Sequence, residues 1–304
     1  MMESPLPVRN GVNATRLRLP DAGPWATAMD YVLDRFDHVD PQGIIERFER
    51  GEVQGLGGVP ITPRTPLGEH TFLWYYRELP VETRLPVELS VLHQDDDLLV
   101  VDKPHFLPTT PGGRYVAESA LVRLRILLEL PDLVPIHRLD RMTAGVLLFA
   151  VNPKTRGRYQ LLFERREVRK SYQAVAPVRP DLSLPLTMRS RMFKSRSYLL
   201  SQEIPGAPNA ETRVVLQRSW SAPAGERGLY RLEPHSGKTH QLRVHMAALG
   251  LGIVNDPFYP VLQEEAPDDY AKPLQLLARQ LEFTDPLSGR EVAYTSRLSL
   301  AESH

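Results

Sequence analysis

Along residues 25–36, Trp25, Met29, Val32, Leu33 and Phe36 recur at three- and four-residue intervals, the period of a helix. A second helix is predicted to start at Asp40-Pro41 and to end at Gly51, with Ile44, Ile45 and Phe48 turned inward. Residues 55–76 read as a turn and short strands that finish in the run Leu73 to Tyr76. Residues 1–24 carry Pro, Gly and Asn without periodicity and read as an extended arm. The Pro-rich stretch 77–87 marks a domain boundary.

From residue 88 onward strands dominate. Val91–Leu92 and Leu98–Val101 flank a turn at Asp95–Asp97, where adjacent acids serve turn chemistry rather than a metal. Residues 117–130 place Leu121, Leu124, Leu127 and Leu128 on one helical stripe, with Pro131 past the end. Gly145 to Val151 is a hydrophobic strand, and residues 153–167 read as an arginine-rich helix. In the strand over 168–178, Tyr172, Ala174 and Ala176 share a face. Residues 212–220 and 228–234 are β-type. Residues 235–250 read as a glycine turn, a strand with Gln241, Arg243 and His245 on one face, and the start of a helix. Two last strands, 274–283 and 291–298, are separated by a turn. With no regular βαβ rhythm, the expected class is α+β with a mainly antiparallel mixed sheet and a small N-terminal α/β module.

Composition narrows the options. At 304 residues, 42% hydrophobic and 24% charged, the chain can bury a large core in one or two domains. It has no cysteine, which excludes disulfides, thiolate metal sites and cysteine nucleophiles. The N-terminus lacks an apolar leader and no run approaches about 18 apolar residues, so a cytoplasmic protein without a membrane partner is expected. The 37 basic residues balance 37 acidic ones, which argues against an indiscriminate nucleic-acid coat but leaves room for a local basic groove. Residues 187–197 carry Arg189, Arg191, Lys194 and Arg196 with Met and Phe interleaved and no acid, the pattern of an RNA-contacting hairpin. A solvated basic loop would carry the same residues.

Candidate chemistry centres on residues 135–150. Arg138 and Arg141 bracket Asp140 within four residues, and flanking cations favour an ionised carboxylate. A surface ion pair before a strand gives the same pattern. His235, His240 and His245 alternate faces in a strand with no acid at ligand spacing, so no metal is expected. No G-x-S-x-G elbow is present.

Four segments in order settle what this stretch resembles: LLVVDKPHFLP at 98–108, HRLDRMTAG at 137–145, RKSYQAV at 169–175 and SGKTHQLRVHMAALG at 236–250. Together, residues 88–300 resemble the RluA-type family of RNA pseudouridine synthases. The resemblance implies isomerisation of uridine in ribosomal or transfer RNA, without cofactor or metal, by a catalytic domain over 88–300. It implies Asp140 as the catalytic carboxylate, Arg243 as its partner and Tyr172 as the aromatic stacked on uracil. Leu242 would lie beneath the base, Arg138 would fill the vacated stack, and His137 and Arg141 would contact substrate. The expected partner is structured RNA and the expected state a monomer. Residues 25–80 resemble a degenerate S4-type RNA-binding module, through IIERFERGEV and LGEH, although a generic small α/β cap fits as well. Ala144 stands where the motif has Ser, and Asn255 and Pro260 where the family has Gly. A non-catalytic RNA-binding or ribosome-assembly factor on the same fold is the competing expectation.

Overall fold

The computed structural model describes residues 4–38, 40–77, 81–194, 200–223 and 225–302. It divides into two compact units, Met1–Glu82 and Thr83–His304. The first unit holds β1 (Thr15–Arg18), α1 (Ala28–Arg35), α2 (Pro41–Glu49) and β2 (Phe72–Tyr75). Local chemistry starts both helices. The Thr27 hydroxyl accepts from the Asp30 N–H while the Asp30 carboxylate accepts from the Thr27 N–H, a capping box. The Asp40 carboxylate accepts from the N–H groups of Gln42 and Gly43, with Pro41 at the first helical position. Val32, Ile44, Phe48 and Leu73 meet in one small core. Part of the stretch read as an extended arm is therefore built in: β1 pairs antiparallel with β2, and Leu19 is buried.

The second unit continues with β3 (Ser90–Gln94), β4 (Leu98–Lys103), α3 (Ala120–Leu127), β5 (Val134–Pro135), β6 (Ala144–Ala150) and α4 (Arg156–Glu164). It then runs through β7 (Arg169–Pro177), β8 (Leu186–Lys194), β9 (Ser201–Ile204), β10 (Ala210–Ala222), β11 (Gly225–Pro234), α5 (Gln241–Ala248), β12 (Leu276–Thr284) and β13 (Glu291–Thr295). Eleven strands form one sheet in the order β3-β4-β6-β12-β7-β11-β10-β8-β9, with β13 beside β12 and β5 beside β6. The sheet is mainly antiparallel, with β6 and β12 pairing parallel. All seven residues of β6 are buried, as its unbroken apolar run requires. Gly145 has φ 113, and a Cβ there would lie 2.2 Å from the carbonyl oxygen of Ala278. Only glycine lets β6 approach β12 this closely, and the loop just before β6 carries Asp140.

Two local expectations change. In α3, Leu127 faces out, and Arg125 takes an inward place with its Nε donating to the carbonyl of Leu133 at 3.0 Å. Residues 241–248 form a helix, not a strand. Six consecutive residues, Gln241 to Met246, are buried, so neither period showed in the sequence. The difference matters because Gln241 and His245 share a face at i, i+4 and both reach Thr212 on β10. Arg243 points elsewhere.

Candidate active site

The loop before β6 is held from below by the turn that follows β4. The Thr109 hydroxyl donates to the carbonyl of Leu139 at 2.8 Å and accepts from the Leu139 N–H at 3.1 Å. Lys103, wholly buried, donates through Nζ to the carbonyls of Pro104 and Leu107, both at 2.8 Å, and of Arg141 at 3.3 Å. Burial pushes the Lys103 pKa down to about 7 against the pull of the Asp140 charge. His105 donates from Nδ1 to the carbonyl of Met142 at 2.6 Å, and burial lowers its pKa to about 4. The backbone on both sides of Asp140 is thus fixed, while its side chain keeps 30% of its exposure.

Asp140 opens into a pocket that Tyr172, Leu242, Arg243 and His240 also line. Arg243 Nη1 lies 3.8 Å from Asp140 Oδ2, and His240 Nε2 lies 3.9 Å from the same oxygen. Arg243 is held elsewhere. Its Nε and Nη2 donate to the two oxygens of Asp256 at 2.8 and 2.5 Å. Both side chains are 1% exposed. Asp256 Oδ1 also accepts from the N–H groups of Phe258 and Tyr259, whose rings lie 4.8 and 5.4 Å from the guanidinium. Burial alone would lower the Arg243 pKa, but Asp256 and Asp140 outweigh it and hold the guanidinium above its ordinary value. A bidentate fork to Asp256 thus fixes the cation that faces Asp140.

Tyr172 stands on β7 opposite Ala278 of β12 and Leu232 of β11, so the sheet register delivers it to this pocket. Burial and the Asp140 charge raise its pKa above the usual phenol range. A standing phenolate is therefore disfavoured. Leu242, on the first turn of α5, packs with Tyr172 in the same apolar cluster.

The site residues named from the sequence divide. Asp140, Tyr172, Arg243 and Leu242 meet in the pocket, and Arg138 is exposed at its rim. His137 does not line it: its Nε2 accepts from the Leu148 N–H at 3.2 Å and its ring stacks on Phe163 at 4.7 Å. Burial and nearby Lys170 push its pKa down to about 3, so it is a neutral packing residue. Arg141 is also elsewhere, in a bidentate pair with Asp268 at 2.7 and 2.9 Å and over the Tyr115 ring. The cation that faces Asp140 thus comes from α5, as Arg243, not from a flanking arginine pair. Asp268, in the acidic stretch 262–270, is drawn in by Arg141. In the 187–197 hairpin, Arg196 lies outside the described residues.

Sequence reasoning missed Asp256, Lys103 and the position of His240. The only signal for Asp256 was a lone acid in the apolar loop VNDPFYP. Its neighbour Asn255 has φ 60, the left-handed geometry that asparagine tolerates.

Comparisons with known proteins agree on one family. Residues 97–248 match the family described as RNA pseudouridylate synthase. The chain is 33% identical over 238 residues to an uncharacterized RNA pseudouridine synthase of Synechocystis, covering 76% of this chain and 78% of that one. It is 29% identical over 234 residues to the dual-specificity RNA pseudouridine synthase RluA of Haemophilus influenzae, covering 71% of this chain and 97% of that one. In structure it resembles human RNA pseudouridylate synthase domain containing 1, with a TM-score of 0.57 at 24% identity over 71% of this chain and 86% of that one.

Proposed function

The chain belongs to the RluA-type family of RNA pseudouridine synthases, and from that premise we propose that Asp140 is its catalytic carboxylate, acting on uridine in ribosomal or transfer RNA. The observation that carries this is the placement of the Asp140 carboxylate in an open pocket 3.8 Å from a guanidinium fixed by Asp256.

Uridine and pseudouridine are isomers. The N1–C1′ bond breaks, the base turns, a C5–C1′ bond forms and the C5 proton leaves while N1 gains one. Asp140 serves at the ribose, as nucleophile or as base, with the Arg243 guanidinium facing it at 3.8 Å. Tyr172 and Leu242 take the two faces of the uracil ring. The raised Tyr172 pKa makes its oxygen a proton donor or relay rather than a standing base. A uridine in folded RNA must first leave its stack, at a cost of a few kcal/mol, and Arg138, exposed at the pocket rim, would fill the vacancy.

Charge supports an RNA partner for this unit. Residues 1–82 carry 8 basic and 12 acidic residues, whereas residues 83–304 carry 29 and 25, so the net zero of the whole chain hides a positive catalytic unit. The test uses ribosomal and transfer RNA transcripts with tritium at uridine C5, incubated with wild type and Asp140→Ala. Release to water by wild type alone is expected, and mapping then gives the nucleotide. Binding of both RNAs without release from either would replace this proposal with a non-catalytic RNA-binding role.

A further inference from the structure

His240 occupies the position just before α5 with φ 55 and ψ 18, a left-handed backbone that few non-glycine residues adopt. This turn sets the imidazole between Tyr259 and the catalytic pocket, where its two nitrogens face different neighbours. Nδ1 lies 3.1 Å from the Tyr259 hydroxyl. That hydroxyl accepts from the Ser201 N–H and donates its one proton to the Ser201 carbonyl, both at 2.9 Å. It can only accept from the histidine, so Nδ1 carries the hydrogen and Nε2 presents a lone pair. Burial, helped by Arg243 and Lys194 and opposed by Asp140 and Asp256, lowers the imidazole pKa and keeps the ring neutral.

Nε2 therefore lies 3.9 Å from Asp140 Oδ2 as a second acceptor in the same pocket. A ligand atom within hydrogen-bond reach of both must bring its own proton. We propose that His240 Nε2 accepts the 2′-hydroxyl proton of the target nucleotide, so that the pocket reads ribose and rejects deoxyribose. The proposal rests on Asp140 acting at the ribose. The 2′-oxygen is bonded to C2′ and is two bonds from C1′, which puts it beside whichever carbon the carboxylate engages. The N–H of the uracil ring lies across that ring, farther from the carboxylate. The 2′-hydroxyl is also the group by which a protein tells RNA from DNA at one position.

Two substitutions separate this role from support of the fold. His240→Asn tolerates the left-handed backbone and can keep the link to Tyr259 through its amide, but has no atom at Nε2. His240→Gln keeps an acceptor near Nε2 and gives up the link to Tyr259. The probes are a stem–loop RNA carrying the uridine mapped by tritium release and the same stem–loop with 2′-deoxyuridine at that position alone. Dissociation constants are measured for both by fluorescence anisotropy, with product counted separately. Pseudouridine keeps the 2′-hydroxyl, so turnover does not blur the ribose arm. Wild type and His240→Gln are expected to prefer ribose by about fivefold, the worth of one neutral hydrogen bond, and His240→Asn to lose the preference. Equal preference in wild type and His240→Asn, or none in wild type, would overturn the proposal. So would loss in Gln with retention in Asn, which would assign the effect to Tyr259. Absence of product from the ribose stem–loop speaks instead against catalysis, and leaves the binding ratio as the test of His240.

Discussion

Two arginine–carboxylate forks flank Asp140, and they differ in what surrounds them. Arg243 and Asp256 are buried together, each 1% exposed, whereas Arg141 and Asp268 keep 28% and 12% of their exposure. Both pairs are bidentate at similar distances. Arg243 has Nη1 left over, and it faces Asp140 at 3.8 Å. The Arg141 side chain leads away from the pocket to Tyr115, and its backbone carbonyl instead receives Lys103. Geometry alone would rank the forks equal. Burial and the direction of the spare nitrogen make one of them part of the site.

The largest expected effect comes from the buried fork. Asp256→Ala leaves Arg243 charged and without its bidentate partner inside the protein, facing only Asp140 at 3.8 Å, and about 3–5 kcal/mol of stability should be lost in urea titrations. Replacing both partners together, as Arg243→Met with Asp256→Leu, should cost less stability than Asp256→Ala alone while still abolishing activity. A loss below about 1 kcal/mol for Asp256→Ala would erase the distinction between the forks.

Lys103 is a third cation, buried and held by carbonyls. Its folded pKa is near 7, against 10.5 for a free lysine, so between these values the unfolded chain binds more protons than the native one. Stability should therefore rise with pH across that window, by about 1 kcal/mol per pH unit from this group, and Lys103→Met should remove that slope. Parallel pH profiles for the two proteins would contradict the assignment. The smallest effect belongs to the outer fork: Asp268→Asn should change stability by about 1 kcal/mol or less and leave the tritium release rate within about threefold. A larger loss of rate would bring Arg141 back among the substrate contacts.

What the sequence disclosed follows from how each part is encoded. The β6 run, the Tyr172 face and the Asp140 motif are local, and they stand where their patterns put them. The helix at α5 escaped because six buried residues in a row erase both periodicities. That error misdirected the faces of Gln241, Arg243 and His245, while Arg243 still reached Asp140. The resemblance assigned His137 and Arg141 to substrate, but a place beside Asp140 in a loop does not fix the direction of a side chain. Arg141 is turned outward by Asp268, 127 residues later. Asp256 has only a faint local signature, one acid in an apolar loop, since its function is a fork to a residue on another element.

The most direct test of Asp140 is the single-turnover rate of pseudouridine formation by Asp140→Asn, with RNA binding measured on the same sample. Asparagine keeps the size and removes the ionised carboxylate next to Arg243. Binding should stay within about threefold of wild type while the rate falls by at least about 10³-fold, as when a reacting group is lost. A rate within about tenfold of wild type, with binding intact, would show that another group carries out the chemistry.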